Sequence, residues 1–240
     1  MLPTSLHPLS LAFAFTLLFQ LESGPIRDIQ DLLSIPYVND AVLDERGRWT
    51  TFTHPETTLP SPGLNCSGFT IACARRLLGF SGTVDEATRD RLGDSGKEAQ
   101  QGQDWDFAWD LILNLSEGRS RRVLLPEGEA RIQGANGLTL RGFEIRDVAA
   151  WEKVLPRMRP TCVYLCSISR TTKRGCVQHH HAVLLLRDDR GVWLVQTLPK
   201  GHSSCLNISS EAGFARMQAM FAGKQRILIL EVEGSATKGP

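Results

Sequence analysis

The stretch that decides the fold is Gly63-Leu64-Asn65-Cys66-Ser67-Gly68-Phe69, which runs without interruption into the helix-like segment 70–78. The loop before this stretch contains two prolines and cannot continue a helix, whereas Asn65 is a good N-cap residue. We therefore predict that a helix begins at Cys66. Free backbone N–H groups and the helix dipole favour a thiolate at such a position. The same N–H groups are placed to hold an oxyanion that forms beside the sulfur.

Composition limits the classes of protein that the chain can belong to. The 240 residues include 27 Lys and Arg against 26 Asp and Glu, which gives a formal net charge of +1. Basic residues do not alternate with aromatic residues as they would on a nucleic-acid-binding surface, so we expect no nucleic-acid partner. The length suits one sizeable core. We predict a single domain over residues 24–240, with no cofactor.

The N-terminal segment differs from the rest of the chain. Residues 9–21 are almost wholly apolar, but thirteen residues are too few for a membrane-spanning helix, which needs about 20. We predict a signal peptide over residues 1–23, an exported protein and no stable membrane insertion. The n-region has no Lys or Arg and the cleavage site is poor, so a buried N-terminal helix is the alternative.

The last 80 residues carry the most regular pattern. Segments 161–169, 178–187, 191–198 and 226–232 are rich in apolar and β-branched residues and predict strands, and the spacing in 211–221 predicts a helix. Together with the helix at Cys66, this pattern predicts an α+β fold in which the helix packs on an antiparallel sheet of about four strands. Residues 80–160 are of mixed character and predict an insertion or subdomain.

Two segments resemble a known family. The box Asn65–Phe69 resembles the Asp-Cys-Ser-Gly-Phe box of NlpC-type cell-wall peptidases, and His181-Ala182-Val183 resembles the strand that supplies their base. The same pieces are similar to those of papain. The resemblance implies a papain-like fold, and a bacterial thiol hydrolase that cleaves an amide bond in the stem peptides of peptidoglycan, in the periplasm or outside the cell.

The chain departs from the NlpC pattern at two points. Asn65 stands where the family has Asp, and residues 47–63 lack the Tyr-x-x-Gly-Gly segment that usually precedes the cysteine. These departures keep open a non-enzymatic alternative, a module on the same fold that binds cell wall or a partner after losing catalysis.

Three adjacent histidines compete to be the base that activates Cys66. Because side chains alternate along a strand, His179 and His181 are expected to share one face and His180 to take the other. The motif match favours His181. His54, in the loop before Cys66, is predicted to be a surface residue.

A third group must orient the base, and Gln196 and Thr197 are the candidates. A two-residue hairpin loop at Asp189-Arg190 places Gln196 on the face of His181, whereas a three-residue loop ending in Gly191 places Thr197 there. We choose Gln196 because its amide oxygen can reach a diagonal imidazole. We further predict that Trp49 and Ser67 bind substrate.

The other five cysteines raise two further possibilities, disulfide bonds and a zinc site. If Cys66 is catalytic, an odd number of thiols remains, and Cys162 and Cys166 on one strand are too far apart to bridge. A zinc-binding protein is a second alternative, since Cys176-x-x-His179 and His202-x-x-Cys205 each have half of a zinc spacing. We nevertheless predict no metal. The three glycosylation patterns, which begin at Asn65, Asn114 and Asn207, are interpreted as chance matches in a bacterial protein.

Overall fold

The computed structural model describes residues 24–91, 106–132, 141–173, 175–221 and 223–234. The predicted signal peptide, residues 1–23, lies outside these ranges. The described helices are α1 (Pro25–Asp28), α2 (Cys66–Leu78), α3 (Val84–Ala87), α4 (Phe107–Leu115), α5 (Val148–Val154) and α6 (Glu211–Met220), with 3-10 turns at Gln30–Leu32 and Leu155–Arg157. The strands are β1 (Ala41–Leu43), β2 (Trp49–Thr51), β3 (Arg121–Leu125), β4 (Gly128–Ala130), β5 (Phe143–Glu144), β6 (Cys162–Thr171), β7 (Val177–Asp188), β8 (Gly191–Gln196), β9 (Ser204–Asn207) and β10 (Gln225–Glu233).

One large antiparallel sheet organises the described chain. Its eight strands run in the order β4-β3-β10-β6-β7-β8-β9, and β5 pairs with another part of β10. The prediction of an α+β fold is confirmed, but the prediction of about four strands is wrong. The four predicted strands are β6, β7, β8 and β10. The other four, β3, β4, β5 and β9, are only two to five residues long, which is too short for their sequence pattern to predict a strand.

Helices cover both faces of the sheet. One core lies between the sheet and helices α2 and α4, and it includes Phe69, Trp109 and Leu184. A second core lies on the other face, against α5 and α6, and it includes Trp151 and Leu185. Consecutive residues of β7 therefore enter different cores, which explains why β6 and β7 are almost continuously apolar rather than alternating.

Residues 80–160, predicted to be an insertion or subdomain, contribute strands and a helix to the same sheet and core in their described part. Strands β3, β4 and β5 join the same sheet through β10 and β3, and α4 packs against β6 and β7. The apolar spacing of Trp109, Ile112 and Leu113 predicts a helix over residues 105–115; residue 105 lies outside the described residues, and the described helix α4 spans Phe107–Leu115.

Close packing on the β1–β2 hairpin sets the position of the N-terminus of α2. The backbone N–H of Asn65 donates to the carbonyl of Ala41 at 3.1 Å. A Cβ atom at Gly68 would collide with that same carbonyl oxygen, so a side chain there would push the helix off the hairpin. The segment 47–63 is thus not purely a loop, because Trp49 lies on β2 opposite Leu43.

Candidate active site

Cys66 is the first residue of α2, as predicted. The side-chain oxygen of Asn65 accepts from the N–H of Gly68 at 2.8 Å, and its carbonyl accepts from Phe69 at 2.9 Å. These two bonds leave the N–H groups of Cys66 and Ser67 without an acceptor in the described part of the chain. The half-buried sulfur therefore lies beside two free donors and the positive end of the helix dipole.

His181 interacts directly with this sulfur. Burial, the largest single influence, would raise the pKa of the Cys66 thiol, but the opposing contributions together lower it, first among them a hydrogen bond to His181 and the charge of His181. The hydroxyl of Ser67 and the backbone of Ala182 lower it further. Burial likewise opposes protonation of His181, yet its bonds to Cys66 and Gln196 raise the pKa of the imidazole. Both shifts favour a thiolate–imidazolium pair.

Gln196 is the residue that contacts the far side of the imidazole. The hairpin between β7 and β8 has the two-residue loop Asp189-Arg190, because Asp188 pairs with Gly191. Nε2 of His181 lies 3.0 Å from Oε1 of Gln196, and the two side chains are 7% and 2% exposed. The hydroxyl of Thr197, the rival candidate, is buried and has no hydrogen-bond partner in the described structure.

The three histidines do not alternate as the sequence predicts. A β-bulge separates the pairs Ile168↔His181 and Ser169↔His179, and His180 is the extra residue. Because Ile168 and Ser169 are adjacent on β6, their partners lie on opposite faces, and the prediction that His179 and His181 share a face is wrong. His179 instead lies with its Nδ1 atom 2.7 Å from the hydroxyl of Ser167.

The two predicted binding residues have different surroundings. The Ser67 hydroxyl is 3.9 Å from the sulfur of Cys66, and its buried side chain belongs to the site. Trp49 packs, half-buried, against the core beneath α2. His54 lies on the exposed surface beside Glu56, as predicted.

Tyr37 belongs to the site, although the sequence analysis did not select it. Burial raises the pKa of its phenol, and the negative charge of Cys66 raises it further. A parallel backbone bridge between Tyr37 and Leu64 brings the tyrosine beside Cys66. In the sequence, the family resemblance points to a tyrosine before the cysteine, but residues 47–63 contain none, and Tyr37 lies upstream of that segment.

The end of helix α6 also reaches the site. The ring of Phe221 lies 6.0 Å from that of His181, and the sulfur of Met220 lies 3.6 Å from Nε2 of Gln196. Neither residue carries a motif, so sequence alone could not select them.

All six cysteines, each within the described ranges, are free thiols. Burial raises the pKa of Cys73, Cys162, Cys166 and Cys205, so their chemistry differs from that of Cys66. No group of three or more His, Cys, Asp or Glu side chains in the described ranges could hold a metal ion, and the two half-zinc spacings therefore do not meet. None of the helices described above is both long enough and apolar enough to cross a bilayer.

Comparisons of the chain with protein-family models, with curated proteins and with solved structures give no match. The geometry of Cys66, His181 and Gln196 is therefore the basis for assigning a function to this chain.

Proposed function

We propose that this protein is a cysteine hydrolase that cleaves an amide bond through a covalent acyl-enzyme. The observation that carries the proposal is the continuous chain from Cys66 through His181 to Gln196, with the sulfur at the N-terminus of a helix. A nucleophile, a base and an orienting group in hydrogen-bond contact are the arrangement that nucleophilic acyl transfer requires.

The reaction would proceed in two halves. The Cys66 thiolate attacks the amide carbonyl carbon, and the carbonyl electron pair moves to oxygen, where the N–H groups of Cys66 and Ser67 stabilise the charge. The oxyanion collapses, the C–N bond breaks, and the His181 imidazolium gives its proton to the departing amine. Water then loses a proton to His181 and attacks the thioester. The C–S bond breaks, releasing a carboxylic acid and restoring the thiolate.

The finer assignment, an NlpC-like enzyme with a papain-like fold that acts on peptidoglycan stem peptides, follows from the resemblance of the Asn65–Phe69 box and the His181 strand. The first departure from the family pattern does not count against it, because Asn65 caps the helix through its side-chain oxygen, as an Asp would. The second departure is the missing Tyr-x-x-Gly-Gly segment. Tyr37 partly compensates for it, because it lies beside Cys66 although it comes from a different segment.

Hydrolysis of purified muropeptides by the mature protein tests this proposal. We expect stem-peptide fragments from the parent protein and none from a Cys66→Ala variant. A Cys205→Ala variant is the matched control, because it removes another half-buried thiol, on β9, whose pKa is raised rather than lowered. Equal digestion by the parent and by Cys66→Ala would refute the proposal. Binding of muropeptides without any cleavage by the parent would favour the inactive binding module.

We also propose that the protein is exported, because residues 9–21 form an apolar run typical of a signal peptide. That the cell is bacterial follows from the resemblance to NlpC-type peptidases. The mass of the protein purified from its native host should correspond to a chain that begins near Gly24. An intact Met1 would contradict export through a cleaved signal peptide.

A further inference from the structure

The side-chain amide of Gln196 lies between the imidazole of His181 and the thioether of Met220, and these two groups differ in whether they can donate a hydrogen bond. Its Oε1 atom is 3.0 Å from Nε2 of His181, and its own Nε2 atom is 3.6 Å from the sulfur of Met220. The side chain is 2% exposed, so water cannot replace either partner freely. The orientation of this amide therefore depends on the two groups beside it.

The thioether of Met220 allows only one of the two amide orientations. A thioether sulfur has no proton and can only accept a hydrogen bond, although weakly. The NH₂ group of Gln196 therefore faces Met220, and the oxygen faces His181. In the flipped amide, oxygen would lie against the sulfur lone pairs, and NH₂ would lie against the imidazole.

This orientation in turn fixes the proton on His181. The amide oxygen of Gln196 can only accept, so Nε2 of His181 must carry a proton and donate it. The ring nitrogen that remains for Cys66 is Nδ1, which holds a lone pair in the neutral ring and a proton in the imidazolium. Both states are the ones that the hydrolytic cycle uses.

We propose that Met220 is a positioning residue that holds the Gln196 amide oxygen toward His181 and so sets the tautomer of the imidazole that faces Cys66. The inference depends on the proposed function in one respect, namely that the Cys66–His181 pair performs the chemistry. Phe221, the next residue, packs its ring against the His181 ring, so the same helix end contacts both the imidazole and its orienting group.

The test replaces Met220 by Leu, which nearly preserves volume but removes the acceptor. Met217→Leu is the matched control, because Met217 lies one turn earlier on α6 and is buried in the core against the sheet. Met220→Gln is the rescue variant, since its side-chain oxygen again offers an acceptor.

Two measurements are made on each variant. The first is ¹⁵N NMR of the His181 ring at pH 8 in a Cys66→Ala background, where the imidazole is neutral, which reports its tautomer directly. The second is the rate of Cys66 alkylation by iodoacetamide at pH 6. We expect Met220→Leu to lower the population with a proton on Nε2 and to slow alkylation about fivefold, as a pKa change of somewhat under one unit would do. Met217→Leu should change neither quantity, and Met220→Gln should restore both.

An unchanged tautomer and alkylation rate in Met220→Leu would overturn the proposal, and so would an equal effect of Met217→Leu. Failure of the proposed function would give a different experimental result from failure of the proposed role of Met220. In that case the parent protein cleaves no muropeptide, while the NMR comparison of Met220→Leu with Met217→Leu still decides the role of Met220.

Discussion

His179 and His181 lie on the same strand, separated by one residue, yet their environments are opposite. His181 contacts Cys66 and Gln196, and these partners raise its pKa despite burial. His179 is fully buried against Ser167, and burial, with the positive charges of Arg141 and His180, lowers its pKa to about 4. Residue type and strand therefore do not decide which histidine contacts Cys66. The one-residue bulge, which sends the two rings to opposite faces of the sheet, decides it.

The largest difference is expected between His181→Gln and His179→Gln. In the proposed mechanism, His181→Gln removes the group that accepts and returns the proton, so we expect hydrolysis to fall about a thousandfold. His179→Gln should leave the rate within about threefold, because His179 contacts Ser167 and is not among the groups that shift the pKa of Cys66. Initial rates on muropeptides, with circular dichroism to confirm folding, measure both. A His179→Gln variant as inactive as His181→Gln would contradict this division of roles.

The pH dependence of stability should reveal His179. Its folded pKa of about 4 lies below the ordinary value of 6.5, so the unfolded chain binds a proton first as the pH falls. The stability that the neutral ring contributes is complete above pH 6.5 and is lost between pH 6.5 and 4, by up to about 3 kcal/mol. Urea unfolding of the parent at pH 7 and 4.5 measures the loss. We expect a smaller loss in His179→Gln, and equal losses would show that His179 does not titrate in this way.

The hydrogen bond between Gln196 and His181 should have an intermediate effect. Gln196→Leu removes an acceptor from a ring that must become charged, so we expect kcat to fall about tenfold to a hundredfold. Thr197→Val is the control, because the buried hydroxyl of Thr197 has no described hydrogen-bond partner. If Thr197→Val slowed hydrolysis more than Gln196→Leu, the rival orienting residue would have been the correct choice.

The smallest effect is expected at Ser167. Ser167→Ala removes the hydroxyl that lies 2.7 Å from Nδ1 of His179, and a buried ring nitrogen is left without a partner. The free energy of unfolding should fall by about 1–2 kcal/mol, while alkylation of Cys66 stays unchanged. A large change in alkylation would mean that the two histidines are coupled across the bulge.

The sequence predicted those features that depend on local pattern. The helix start at Cys66 follows from Asn65 and the proline-containing loop, and the long strands β6 and β7 follow from apolar runs covered on both faces. The short strands β3, β4, β5 and β9 carry no such pattern, since pairing with longer neighbours creates them. A four-strand sheet was therefore the most that the pattern could predict.

The residues of the candidate site also fall into two groups, those that local sequence pattern predicted and those that only the tertiary structure reveals. The sequence placed Cys66 and His181 by motif and Gln196 by hairpin geometry, and the structure brings these three side chains together. A bulge, a parallel bridge and the end of a distant helix place His179, Tyr37 and Met220, respectively. These are tertiary features, and no spacing along the chain records them.

The most direct test of the central claim, that Cys66 and His181 form an activated pair, is the pH profile of Cys66 alkylation by iodoacetamide. Mass spectrometry of the Cys66 peptide separates it from the other five thiols. We predict that the alkylation rate of the parent protein rises at a pH below the ordinary thiol pKa of about 8.5, and that His181→Gln moves this rise toward that value. A parent protein whose rate rises only near pH 8.5, with no change in His181→Gln, would contradict the account.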